Sequence, residues 1–340
     1  MLVVALGVLA TAAGGWLIHA VNEARSHERF ERAVDEANDA IVNRLETYVA
    51  VLRAGAGLFA ASKTVDRGEF EAFAGRVELN RRYPGIEGVG YAALARGPDG
   101  RERAVVVTYL EPLTARNQRV IGYDLLADPV RREAVERARD SGQPAMSGKV
   151  RLLQEPDPSR QSGFLILEPV YRGGHVPTTT EARRSALEGF VYAPFRAEDL
   201  LENVFRSLNR PTLEYAVYDG AAAPAVLLHR SNPARTQGVG ASYQSVRTLQ
   251  VAGRPWTVVY NAGSAFHPND GLAMILAFVT IGLVATGLIA WAMSAQVEAR
   301  LSAEREVVAR AQVEERQKLL LDELNHRVKN TLATVQSIAA

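Results

Sequence analysis

The residues best suited to chemistry lie near the end of the chain. The run Leu320-Leu321-Asp322-Glu323-Leu324-Asn325-His326-Arg327-Val328-Lys329-Asn330-Thr331-Leu332 sets one imidazole among acidic, basic and amide side chains. On a helix at 100° per residue, Leu320, Leu324, Val328, Thr331, Val335 and Ile338 share a face, and His326 falls about 200° from Leu324. His326 then faces solvent, and Asp322, Glu323 and Asn330 lie one turn away on the same surface. A neutral, reachable imidazole can attack a γ-phosphate in line. A nearby carboxylate can orient the ring or take its proton, and Arg327 and Lys329 can hold phosphate oxygens. A lone histidine on a charged face is ordinarily just solvated, so the weight rests on the whole string.

Such a helix must be carried by something. Two windows contain no Asp, Glu, Lys or Arg: Met1 to Asn22 and Gly271 to Val297. Each can cover a bilayer core of roughly 30 Å, which takes about 20 residues. Asp270 and Glu298 bracket the second window, and Trp291 near its end can anchor at the interface. The first reads as a retained helix rather than a signal sequence. It has no basic leading region, and the small residues Ala12 to Gly15 fall mid-run instead of at a cleavage point. Gln296 to the end lacks Gly and Pro and is rich in helix formers, which predicts a juxtamembrane coiled coil running into a helical hairpin. The expected divisions are a span at 1–22, a sensing domain at 23–270, a span at 271–297, a coiled coil at 298–318, and the start of a phosphoacceptor domain at 319–340.

Between the spans, Phe30, Val34, Ala37, Ile41, Leu45, Tyr48 and Leu52 recur at helical steps from Glu28 to about Leu58. This stripe either packs on its own domain, or pairs in a dimer as a signalling helix, or does both. Strand patterns follow at Gly88–Leu94, Ala104–Leu110, Phe164–Tyr171, Gly189–Phe195, Leu213–Tyr218, Val226–His229 and Ser245–Tyr260. Turns separate several of them, at Gly97-Pro98-Asp99-Gly100 and Ala252-Gly253-Arg254-Pro255. Helical stretches fall at Pro129–Ser141 and Ala197–Leu208. The order predicts an α+β domain.

Composition excludes some chemistry. The net charge of +1 gives no field for nucleic acid. With no cysteine, disulfides and thiolate metal sites are impossible. His19, His27, His175, His229 and His267 lack ligand spacing, so no metal is expected. Gly85-Ile86-Glu87-Gly88-Val89-Gly90 opens a strand with no helix after it, so it is not a nucleotide loop.

The string His326-Arg327-Val328-Lys329-Asn330, with acidic residues before it and Thr331 to Ala339 after, resembles the phosphoacceptor box of the HWE histidine kinases and of the related second dimerisation-and-phosphoacceptor class. The commoner kinase class has an acidic residue after the histidine; here it is Arg327, as this resemblance implies. The resemblance covers about 25 residues and implies a protein-histidine kinase of a two-component system. It implies ATP as phosphoryl donor, bound by a further domain, with His326 as acceptor and Asp322 or Glu323 as candidate bases. This stretch alone should be inactive. A homodimer and a cytoplasmic response regulator are the implied partners.

The region between the spans resembles the CHASE sensor domains of bacterial kinases and cyclases and of plant cytokinin receptors. Matching stretches are Arg82-Tyr83-Pro84-Gly85-Ile86, Gly122-Tyr123-Asp124 with Pro129 and Arg131, Leu152-Leu153-Gln154-Glu155, Leu167-Glu168-Pro169-Val170-Tyr171, Gly189 to Leu208, and Gly253-Arg254-Pro255-Trp256. The resemblance implies a long helix and two PAS-like subdomains, with a small ligand bound in the membrane-distal one. The nearest positions to the plant pocket are Glu111, Ser147, Leu152 and Leu153, where Glu replaces Asp and Ser replaces Thr. As strand residues they could equally pack a sheet.

Orientation follows from chemistry, because the arginines flanking the two spans nearly balance. His326 needs ATP, so residues after 297 are expected in the cytoplasm and 23–270 outside it, in a two-pass protein of the cell inner membrane. The alternative is a CHASE receptor that binds ligand without catalysis and drives another output, such as a cyclase. An extracytoplasmic enzyme finds no support in any nucleophile–base or paired-carboxylate motif.

Overall fold

The computed structural model describes residues 2–100, 102–154, 162–208, 213–233, 243–263, 266 and 271–338, apart from the side chains of 80, 81 and 331–338. Glu155, His267, Asp270 and Ala339, singled out above, lie outside them. Two compact units are present, residues 26–268 and the pair of segments 1–25 and 269–340.

In the first unit the elements follow α1 (Leu2–Ala61, shared with the second unit), α2 (Arg67–Val77), α3 (Leu79–Arg82), β1 (Val89–Arg96), β2 (Glu102–Glu111), α4 (Pro129–Ser141), β3 (Ala145–Met146), β4 (Gly163–Tyr171), α5 (Thr180–Ala186), β5 (Leu187–Arg196), α6 (Ala197–Leu208), β6 (Leu213–Asp219), β7 (Leu227–Arg230), β8 (Gln244–Val251) and β9 (Arg254–Ala262). They build two antiparallel sheets, ordered β2-β1-β5-β4-β3 and β7-β6-β9-β8. This is the expected α+β architecture of a long helix with two PAS-like halves.

The helix stripe is spent inside the domain. Phe30, Val34, Ala37, Ile41, Leu45, Tyr48 and Leu52 are all buried in a core that also takes side chains from both sheets. Phe164 of β4 stacks on Phe195 at 5.0 Å and meets the edge of Trp256 of β9 at 5.0 Å, which ties the sheets together. Arg254 on β9 pairs with Asp219, and Asp219 accepts from the Lys149 amide at 2.8 Å. The β8–β9 strands pair as a hairpin through Ala252 and Gly253, both with positive φ.

Strand alternation gives the first sheet two buried faces. Phe164, Ile166 and Val170 of β4 join the core with α1, while Leu165 and Leu167 join a second core with Ala134, Val135 and Ala138 of α4. Every residue of β4 is therefore buried. The charge on this strand, Glu168, points to the α1 side, 3.8 Å from Arg53.

Helices α2, α3 and α5 and the two-residue strand β3 were not anticipated, and α2 is the longest of them. Helix α2 starts at a reciprocal cap, in which Asp66 accepts from the Glu69 amide at 2.9 Å and Glu69 accepts from the Asp66 amide at 3.0 Å. Its two buried residues, Phe70 and Ala74, are too few to make a visible helical stripe.

In the second unit, α7 runs from Leu272 to Ile338 without a break. By length and composition, α1 and α7 are both long and apolar enough to cross a membrane. Within this unit Thr11 packs on Gly282 and Thr286 on Gly7, so closely that neither glycine has room for a Cβ. Each threonine donates to the carbonyl four residues earlier, Gly7 and Gly282 respectively, which satisfies its hydroxyl inside the helix pair.

Candidate functional site

The first sheet bears a cavity on the face turned away from α1. Leu165 of β4 and Tyr192 and Pro194 of β5 form its floor, Val120, Tyr123 and Leu125 one wall, and Leu152, Leu153 and Gln154 another, with Arg131 of α4 reaching in. The space inside it is small, with room for about one water molecule.

Local sequence explains how Arg131 arrives there. Asp128 caps α4 by accepting from the amides of Val130 and Arg131, each at 3.0 Å, and Pro129 sits at the first helical position. Arg131 therefore leaves from the first turn, pointing back toward the preceding loop. That loop is fixed by Asp124, which accepts from the amides of Val105 and Leu126 at 2.9 Å each.

Arg131 is only 5% exposed. Its guanidinium pairs with Asp128 at 3.1 Å, donates to the Arg151 carbonyl at 2.6 Å and reaches the Tyr123 hydroxyl at 3.5 Å. It also sits 5.4 Å from the centre of the Tyr123 ring. Three partners leave two of its five N–H donors over. Tyr192 is 1% exposed, and its hydroxyl is buried without a hydrogen-bond partner. Burial pushes this phenol well above its ordinary pKa, so it stays neutral and can donate.

Of the four residues the resemblance pointed to, Leu152 and Leu153 line this cavity, and Glu111 and Ser147 do not. Glu111 accepts from the Leu113 amide at 2.9 Å, lies 3.8 Å from Arg67, and borders a separate cleft with Glu71 and Glu78. Ser147 is buried beside β4, where its hydroxyl accepts from the Leu165 amide at 2.9 Å and donates to the Gly148 carbonyl. Both polar groups are taken up by the fold's own backbone. Sequence reasoning named Tyr123 and Arg131 only as parts of a family stretch and gave Tyr192 no role. An aromatic in a buried strand carries no local sign of which face it takes.

The second candidate is the helix around His326. Asp322, Glu323, His326, Arg327, Lys329 and Asn330 all lie on α7 and are exposed. Glu323 accepts from Arg327 at 2.9 Å. Leu320, Leu324 and Val328 are more than half exposed, so the apolar stripe opposite His326 is uncovered in the single chain. The His326 ring is open to solvent on this helix. Among the described residues, no group of three His, Asp or Glu side chains could hold a metal ion.

Comparison with known proteins bears on both sites. No curated protein matches the chain. Among solved structures it is similar to the ligand-binding domain of the Pseudomonas aeruginosa PAO1 amino acid chemoreceptor PctC in complex with GABA, at 14% identity and a TM-score of 0.44, covering 69% of this chain and 98% of that one. It is also similar to the extracellular domain of rpHK1S-Z16, a protein assigned as a histidine kinase, at 14% identity and a TM-score of 0.45, covering 71% and 96%. A third similarity is to an extracellular ligand binding receptor from Desulfohalobium retbaense DSM5692, at 11% identity and a TM-score of 0.41, covering 66% and 39%. Residues 63–229 match the CHASE domain family, and residues 323–340, which include His326, match the HWE histidine kinase family. The chain thus joins a stretch that matches the CHASE domain family, 63–229, to one that matches the HWE histidine kinase family, 323–340.

Proposed function

We propose that this chain is the sensing and phosphoaccepting part of a two-component membrane kinase, with an extracytoplasmic ligand controlling ATP-dependent phosphorylation of His326. The observation that carries the reading is the joining, in one chain, of a CHASE match at 63–229 to an HWE match at 323–340, with an apolar helix between them long enough to span a bilayer. The spans are 1–22 and 271–297, the sensor 23–270 faces the periplasm, and the coiled coil at 298–318 leads to the phosphoacceptor segment at 319–340 in the cytoplasm.

In the reaction, a ring nitrogen of neutral His326 attacks the γ-phosphorus of ATP, which a separate domain holds. An N–P bond forms and the P–O bond to ADP breaks. The ring proton leaves to a base, for which Asp322 and Glu323 stand one turn away, and Arg327 and Lys329 are placed to meet phosphate oxygens. The phosphoryl group then passes to a response regulator. The uncovered stripe Leu320, Leu324 and Val328 supports a homodimer, in which a second copy of α7 covers it. Ligand control requires the ligand to favour one arrangement of the paired helices over the other.

The test is phosphoryl transfer. The chain, joined after residue 340 to the nucleotide-binding domain the reading requires, is given labelled ATP beside the His326→Gln variant. Acid-labile, alkali-stable label that the variant loses supports the reading. Label that survives the substitution places the acceptor elsewhere. Absence of label in a folded protein that binds nucleotide favours a receptor with another output.

A further inference from the structure

Glu168 faces α1 from the middle of β4, and its carboxylate is poorly served there. The register sets Tyr91 of β1, Val191 of β5 and Glu168 of β4 side by side in one row across the first sheet. Helix α1 crosses this row. Phe59 stacks on Tyr91 at 4.0 Å, a Cβ on Gly55 would stand 3.0 Å from Val191, and Arg53 lies 3.8 Å from Glu168. The helix is unbroken from Leu2 to Ala61, so the turn that meets Glu168 is continuous with the apolar segment near the N-terminus. Oε2 of Glu168 is buried and has no hydrogen-bond partner. The contact with Arg53 is longer than a hydrogen bond, and Arg53 is more than half exposed. A buried carboxylate so weakly compensated is costly beside its neutral acid, and burial pushes this carboxyl up to about 7 despite Arg53. The other titratable groups nearby are Tyr91 in the same row and Tyr171 farther along β4. Burial raises both phenols, so they are neutral when Glu168 titrates. The Tyr91 hydroxyl donates to the Glu188 carbonyl at 3.2 Å, and Glu188 itself is exposed. From β3, the uncharged Ala145 and Met146 pair with the residues before Glu168.

We propose that Glu168 and Arg53 form a proton-operated latch between β4 and α1, through which the sensor domain answers the acidity of its surroundings. The inference deepens the proposed function and rests on it for the role in signalling, but the latch can be tested without any kinase activity. With the proton on, a neutral carboxyl lies in the interface and α1 packs as described above. With the proton off, the carboxylate is stabilised when the gap to Arg53 closes to a charge-assisted hydrogen bond of about 2.8 Å. Closing it draws the Arg53 turn of α1 toward β4, and Gly55 and Phe59 shift against Val191 and Tyr91. The proton thus selects between two packings of one helix because it interacts with them unequally.

The experiment measures a distance. The chain has no cysteine, so Ala54→Cys on α1 and Thr108→Cys on β2, both exposed, can carry a pair of spin labels. Their separation is read in the full chain in lipid nanodiscs from about pH 5 to about pH 9. One transition centred near pH 7 is expected. Glu168→Gln should abolish it and hold the acid-side distance at every pH. Arg53→Met removes the cation that favours the charged form, so the transition should move to higher pH; Arg53 is exposed, so this variant decides even if Glu168→Gln fails to fold. A distance that does not change with pH in the folded chain overturns the proposal. A transition that survives Glu168→Gln, or that Arg53→Met leaves in place, overturns it as well. For signalling, labelling of His326 in the chain joined to a nucleotide-binding domain is taken as the ratio of Glu168→Gln to the unsubstituted chain, which cancels the pH dependence of the transfer itself. A ratio that changes around pH 7 supports the signalling role. A flat ratio beside a clear distance transition would keep the latch and overturn its link to the kinase; absence of label at every pH beside that transition would count against the kinase reading and not against the latch.

Discussion

The two candidate sites are built in opposite ways. Around Arg131 and Tyr192 the fold supplies everything: a sheet floor, a capped helix, a pinned loop, and burial that keeps a phenol neutral. Around His326 it supplies a bare helix whose side chains all meet solvent. The cavity is a product of tertiary packing, and anything that loosens the packing should deform it. The His326 segment carries its candidate groups within a few residues of sequence, and under the proposed function a second helix and a nucleotide-binding domain would supply the other surfaces. A sensor needs the first kind of site because affinity depends on preorganised, desolvated contacts. A phosphoacceptor needs the second kind because two different proteins must reach the same ring.

Three substitutions sharpen or break this contrast. The largest effect is expected from Phe164→Ala, which removes a ring wedged between Phe195 and Trp256 and leaves a void at the junction of the two sheets. Denaturant unfolding of the solubilised chain should show a loss of about 3–5 kcal/mol. A loss below about 1 kcal/mol would mean the sheets are held together elsewhere.

An intermediate effect is expected at Glu168. Burial pushes its carboxyl up to about 7 despite Arg53 nearby. A carboxyl whose folded pKa exceeds its unfolded one holds its proton more tightly when folded. Its contribution to stability is greatest below about 4.5, falls as pH rises to about 7, and is level beyond. Glu168→Gln should remove that slope, raising the melting temperature by a few degrees at pH 8 and leaving it unchanged near pH 4. Equal shifts at both pH values would show that the Glu168 carboxyl titrates alike in the folded and unfolded chain.

The smallest effect is expected on α7. Arg327→Ala breaks an exposed pair with Glu323 and should change stability by less than about 0.5 kcal/mol, while it slows labelling of His326 if the guanidinium meets phosphate. A large drop in stability would mean this helix is packed, against the contrast drawn above.

Much of the fold was legible because local signals are strong where elements begin and end. Helices Pro129–Ser141 and Ala197–Leu208 read from the sequence with the bounds they have in the structure. In the first, Asp128 and Pro129 mark the start and Gly142, with positive φ, the stop. Strand ends drifted by at most two residues, and Ser245–Tyr260 divides into β8 and β9, since pairing and not local chemistry decides where a strand stops. Helix α2 escaped notice although Asp66 and Glu69 form a capping box, because so little of it is apolar. Of the ligand-lining candidates, Leu152 and Leu153 reach the cavity, whereas Glu111 and Ser147 are consumed by backbone amides that no linear pattern reveals.

The sequence by itself determined the two apolar spans, the α+β order between them and the His326 string. Each depends on composition or on spacing within a few helical turns, and the forces involved act between neighbours along the chain. Only the tertiary structure decided that the stripe on α1 is buried in its own domain, and that the first sheet has a core on both faces. It also decided that Arg131, Tyr192 and Leu152 share one cavity. Those residues come from a helix, a strand and a loop, and the sheet register that joins them follows from how its two faces are covered.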